Sequence, residues 1–272
     1  MQFRSTPFTI IYSLFLTFFI ASCEQSSTSS TSLLDWVPQN TQLVLQLNDI
    51  NETRNALKNN PVLKHLGETS PALAKKMTAL YGAEITPQLI SLTKYGKDEK
   101  ALSLVYKAAI DSSFLNLPKV TYSNETIYVQ ENQDGVVFTA FIDGFTLHSD
   151  TKIVLENCIR NYKQKAKAIR NARFYSIAQT ADAQAPVNIH LQGNGEKSFS
   201  EAFDSLPLFP RIGQSWATYD LNFTTENIEL DGLLKIVDSL GDPVGLLQDS
   251  TPKKSLITQA IPNSMSGFLS FG

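Results

Sequence analysis

The groups that could do acid–base, nucleophilic or metal chemistry are few and widely spaced. Histidine occurs at His65, His148 and His190, with no His-x-His or His-x-x-x-His pair. The spacing that would set two imidazoles on one metal ion is therefore missing, and neither a metal nor another cofactor is expected. His190 alternates with Asn188 and Gln192 on the polar side of a strand-like run, where a surface or hydrogen-bonded imidazole is expected. Cys158 falls at helical spacing with Leu155, Ile159 and Tyr162, which predicts a buried structural thiol. Ser-x-x-Lys recurs at Ser91/Lys94, Ser149/Lys152 and Ser250/Lys253. After Tyr122-Ser123-Asn124 the Lys-Thr/Ser-Gly partner of serine–lysine chemistry does not follow. Gly193-Asn194-Gly195-Glu196-Lys197-Ser198 has the setting of a phosphate loop. Glu196 stands where glycine is required, and its carboxylate would repel phosphate, so a plain turn is expected. Asp134, Asp143 and Asp150 fall at turns and a helix start, which explains them without a glycosidase pair. No catalytic residue is expected from these constellations.

The other cysteine is different. Met1-Gln2-Phe3-Arg4 begins with positive charge, and an apolar run follows from Phe8 to Ala21, broken only by Thr9, Ser13 and Thr17. That run is shorter than the about 20 residues a helix needs to span a bilayer. A charged start, a short apolar core and small residues before a cut site define a secretory signal. Its end, Ile20-Ala21-Ser22-Cys23, resembles the lipobox of bacterial lipoproteins. The resemblance implies removal of residues 1–22 as a signal peptide, a diacylglyceryl group on Cys23 and N-acylation, commonly with palmitate. Two or three acyl chains hold a protein firmly on a membrane, whereas one binds marginally. Glu24 follows Cys23, and the lack of aspartate there favours the outer membrane over the inner. Residues 24–32, Glu-Gln-Ser-Ser-Thr-Ser-Ser-Thr-Ser, carry no apolar side chain. Residues 23–32 therefore read as a lipidated cysteine and flexible tether, with a mean reach of roughly 15–18 Å.

Beyond the tether, roughly 240 residues suffice for one large or two small domains with a true core. Net charge is −3 and charged residues make up 18%, a balance that gives no reason to expect nucleic-acid binding. With Cys23 acylated, Cys158 has no partner for an internal disulfide. The most segregated surface feature is basic. Arg160, Lys163, Lys165, Lys167, Arg170 and Arg173 lie in a stretch with no acid between Glu156 and Asp182. Such a stretch is either a solvated helix end, where cations suit the dipole, or a contact for an anionic surface such as lipid headgroups.

The elements that must position these groups alternate strand and helix signals. Thr41–Leu47, 101–107, 126–130, 136–142 and 145–149 read as strands, and Asp134-Gly135 and Asp143-Gly144 as hairpin turns. Helices are predicted over 52–66 and 71–82, from Asp150 or Thr151 to about Lys167, over 173–181 and briefly over 198–203. Residues 186–192 form another strand, with Val187, Ile189 and Leu191 on one side. Two longer strands follow over 215–223 and 227–237. The whole predicts an α+β ectodomain over 33–254, with antiparallel sheets and segregated helices.

Val37-Pro38-Gln39-Asn40 and the strand after it are echoed by Ile261-Pro262-Asn263-Ser264 and Phe268-Leu269-Ser270-Phe271. The echo predicts that residues 255–272 begin a second repeat domain. The layout of lipobox, proline-led strand, helix, Asp-Gly hairpin and helix resembles uncharacterised bacterial envelope proteins, over roughly 33–250. That likeness carries no catalytic signature. The expectation is a membrane-anchored envelope lipoprotein whose ectodomain binds a protein or glycan partner or joins an assembly. The competing expectations are a hydrolase whose catalytic residues are unrecognised or lie beyond the C-terminus, and a lipid-anchored carrier of an apolar ligand.

Overall fold

The structure is a computed structural model and describes residues 32–38, 40–61, 85, 87–97, 99–133, 135–164, 172–193, 215–224, 227–236 and 251. The chain divides into two units, Met1–Ser32 and Leu33–Gly272, and the fold set out here is that of the second. Residues 1–22, where a signal peptide is expected, Cys23, His65, the helices predicted over 71–82 and 198–203, and residues 255–272 lie outside the described residues.

The strands are β1 (Thr41–Leu47), β2 (Gln88–Lys94), β3 (Lys100–Lys107), β4 (Lys119–Tyr122), β5 (Glu125–Asn132), β6 (Gly135–Ile142), β7 (Phe145–Ser149), β8 (Val187–Gln192), β9 (Trp216–Phe223) and β10 (Ile228–Lys235). The α-helices are α1 (Ile50–Asn59), α2 (Lys152–Gln164) and α3 (Ala172–Ala178), with 3₁₀ turns at Leu33–Trp36 and Ser112–Asn116. The fold is α+β with separate helices, as predicted. The strands form one ten-stranded sheet in the order β10-β9-β8-β1-β2-β3-β7-β6-β5-β4, and every neighbouring pair is antiparallel.

Local chemistry accounts for the corners. Ser123-Asn124 and Asp143-Gly144 both hold two successive positive φ angles, at 49° and 65° and at 49° and 80°. Two-residue turns of that kind match the right-handed twist of the strands they join. Asp49 caps α1 by accepting from the Glu52 amide at 2.8 Å, which satisfies one of the free donors of the first turn. At the far end of α1, the Asn60 side-chain amide bonds the carbonyls of Thr224 and Asn227, tying the helix to the β9–β10 loop.

The sheet is apolar on both sides. On the first face Val44, Leu89, Val105, Ile127, Ala140 and Leu147 are buried beneath the Leu33–Trp36 turn, α2 and α3. Trp36 stacks on Tyr162 of α2 at 3.7 Å and packs against Phe145 at 5.5 Å. Phe174 of α3 lies 4.8 Å from Trp216. The second face presents Leu47, Ile90, Leu102, Leu104, Val187 and Ile189. A strand buried on both faces carries a continuous apolar run, which is why β2 shows no alternation.

The six strands from β10 to β3 also have an approximate internal two-fold arrangement. β1 and β8 pair at the centre with Leu45 opposite Ile189. Outward on one side come β2 and β3, and on the other β9 and β10. Each side has a long connection into its second strand and a tight hairpin to its third. Both outer strands, β3 and β10, have eight residues and end in lysine.

Candidate functional site

On the second face, the strands β3, β6 and β7 bring Tyr106, Thr139 and His148 together. His148 Nδ1 lies 2.8 Å from Thr139 Oγ1, and its Nε2 lies 3.0 Å from the Tyr106 hydroxyl. Register explains the meeting: Leu104 and Thr139 are the Cα partners of His148 on its two neighbouring strands, and Tyr106 lies two residues along β3. Phe114, on the Ser112–Asn116 turn, packs edge-on to Phe141 at 5.2 Å and Tyr128 at 6.2 Å, and lies 6.4 Å from the His148 ring. Asp111 fixes that turn by accepting from the Ser113 amide at 2.9 Å. The same bond holds the Asp111 carboxyl below the usual range.

The electrostatics of this group favour neutral species. Burial pushes the His148 pKa down to about 4 and raises that of Tyr106. Both imidazole nitrogens are occupied by hydroxyls, and the nearest hydroxyl nucleophile, Thr139, is fully buried. The trio is a hydrogen-bonded island in an apolar field. A poised base facing substrate would require different surroundings. Flanking it on the same face, Leu43, Leu45, Leu92, Tyr219, Leu221 and Phe223 are partly buried and pack against Leu47, Ile90, Leu102, Leu104, Val187 and Ile189.

The remaining sequence candidates disperse. Cys158 is fully buried on α2, and burial pushes its thiol up to about 12, the condition of an inert core thiol. His190 is not a surface residue. It is 1% exposed, because the polar side of β8 is the side that α3 covers. There it bonds Thr218 Oγ1 at 2.6 Å and meets Phe174 edge-on at 5.7 Å. Burial lowers its pKa to about 4. Asp143 and Asp150 flank opposite ends of β7, and Asp150 accepts from the Leu102 amide and Thr151 hydroxyl; Asp134 lies outside the described residues. Among the described residues no group of three or more His, Cys, Asp or Glu could hold a metal ion.

The basic stretch is only partly described. Arg160 bonds the neighbouring Asn157 side chain. Lys163 pairs with Glu125 at 2.6 Å and with the Ser123 carbonyl. It therefore clamps α2 to the β4–β5 turn. Arg173 lies in the first turn of α3 and its carbonyl accepts from the Ser176 hydroxyl. Lys165, Lys167 and Arg170 lie outside the described residues. Among the described residues no helix is long and apolar enough to cross a membrane.

The Tyr106–Thr139–His148 cluster was not predicted from sequence. Its members lie on three separate strands, and the alternation of Thr146 and His148 between apolar residues was the one available signal. Compared with known proteins, the chain matches no family model, no curated protein and no solved structure.

Proposed function

We propose that the chain is a cell-envelope lipoprotein, held on the membrane by acyl chains on Cys23, whose ectodomain binds or assembles with a partner and carries no catalytic centre. The observation supporting this reading is the state of the reactive groups. Cys158, His148 and His190 are each drawn into the fold and held uncharged, while Leu230 and Leu233 of β10 remain exposed. A sheet that spends its reactive side chains on packing and leaves apolar ones at the surface suits association. A carrier of an apolar ligand is the second reading, favoured by Leu43, Leu45 and Leu92, which are only partly buried and neighbour one another on the second face.

The anchor is tested directly. Cells expressing the chain should incorporate labelled palmitate, and Cys23→Ala should abolish incorporation and leave an uncleaved precursor or a soluble product. Equal label in the two would overturn the assignment.

A further inference from the structure

The two edges of the sheet differ in a way that bears on assembly. β4 closes one edge with four residues and places Lys119 over the Tyr128 ring at 5.4 Å. Short edge strands carrying lysine resist pairing with another chain. β10 forms the other edge with eight residues, six of them exposed, and no proline. Leu230 and Leu233 on it are 44% and 57% exposed. In the two-fold arrangement of the six strands from β10 to β3, β10 occupies the place of β3, whose outer edge is filled by β7 in antiparallel register. Among the described residues no strand fills the outer edge of β10.

β10 is also unusual in its charges. Asp231 stands directly opposite Asp220 of β9, and like charges in that position are unfavourable. Gly232 lets the strand come close, since a Cβ there would lie 2.3 Å from the Thr218 carbonyl. A second β10 laid antiparallel and centred on Leu233 resolves both features. Leu233 of one copy then faces Leu233 of the other, and Asp231 faces Lys235. On the opposite side Leu230 faces Ile236, and Gly232 makes room for Leu234. Over the overlap of the two strands, residues 231–235, Leu233 meets its copy, Asp231 meets a base on each side of the axis, and the second face continues into its copy. Centring on Gly232 would instead set Asp231 against Leu233, and centring on Asp231 would set it against itself.

We infer that β10 is a self-complementary edge through which two copies of this chain join in a two-fold, antiparallel dimer about Leu233. The inference names the partner in the assembly reading above and rests on that reading.

Residue 233 lies on the two-fold, so a single cysteine there reports the contact. Directly opposed strand residues have Cα atoms within the range a disulfide can bridge. The full chain carrying Leu233→Cys, oxidised mildly in intact envelopes, should give a covalent dimer on a non-reducing gel well above the wild-type background. Leu230→Cys, which would face Ile236, should not. In the Leu233→Cys background, Asp231→Lys or Lys235→Asp should cut the dimer yield by about tenfold, since each puts two like-charge pairs across the axis. The Asp231→Lys/Lys235→Asp double variant should recover it. Cross-linking no better than wild type, equal cross-linking by Leu230→Cys, or no recovery in the double variant would each overturn the inference. So would a product of a mass other than two chains, an outcome that would leave the assembly reading standing with another partner.

Discussion

Burial decides what the titratable residues can do. An imidazole needs water or a carboxylate to carry charge, and His190 has Thr218 and Phe174 instead. Its pKa in the folded protein is about 4, below the ordinary value of 6.5. Below that ordinary value the unfolded chain therefore binds the proton first. Stability is full above pH 6.5, falls as pH drops from 6.5 towards 4, and loses no more through this group below its folded pKa. A shift of this size corresponds to ~3 kcal/mol for a group so buried. His148 is shifted in the same direction. Urea unfolding at pH 7.5, 6, 5 and 4 should show this decline, and His190→Gln should flatten it by roughly half relative to its own value at pH 7.5. An unchanged slope in that variant would mean that His190 keeps its proton in the fold. The sequence placed His190 on the polar side of its strand, and that side is correct. It could not say that α3, which starts 15 residues before β8, would be laid over it.

At the scale of elements, the Leu33–Trp36 turn is small but carries much of the first face. Trp36 is fully buried against Phe145, Tyr162 and the β2–β3 pair. Truncating a buried aromatic side chain of this kind costs about 3–5 kcal/mol, a large part of the ~5–15 kcal/mol that holds a typical domain. Trp36→Ala should therefore lower the urea midpoint sharply. Trp36→Phe should cost less than half as much, because the indole Nε1 has no hydrogen-bond partner and its loss removes an unsatisfied donor. Similar losses in the two variants would show that the indole N–H is satisfied after all. The amphipathic elements were legible: β1, the β5–β7 meander, α2 and the β9–β10 pair lie close to where their periodicity puts them. β2 and β4 were not predicted. Leu89-Ile90 in β2 puts apolar side chains on both faces, which erases the two-residue period. β4 is too short to show one.

The whole molecule is bound by a pairing distant in sequence. β1 takes its neighbours from β2 on one side and from β8, about 140 residues later, on the other. Neither half can complete its sheet alone, so the β1–β3 and β8–β10 sides should unfold together. The two tryptophans report on them separately: Trp36 packs with Phe145 and Tyr162, and Trp216 with Phe174. Trp216→Phe leaves a probe on the first side and Trp36→Phe leaves one on the second. In each variant the fluorescence midpoint in urea should coincide with that variant's own far-ultraviolet circular dichroism midpoint. A fluorescence transition displaced from the dichroism in either variant would divide the sheet into independent units.

Composition and period alone determined the α+β class, most strand positions, and which side of each strand is apolar. These are local properties, written in spacings of two, three and four residues. Tertiary structure decided that the strands make one sheet, that β1 and β8 lie side by side in it, and that the polar side of β8 is buried. It also decided that Tyr106, Thr139 and His148 touch. Each of these depends on which strand lies beside which, and a strand's own sequence specifies its faces without naming its neighbour. β10 shows the difference most plainly: Asp231, Leu233 and Lys235 read as an ordinary alternating strand until the sheet order sets them at an edge that no strand among the described residues fills.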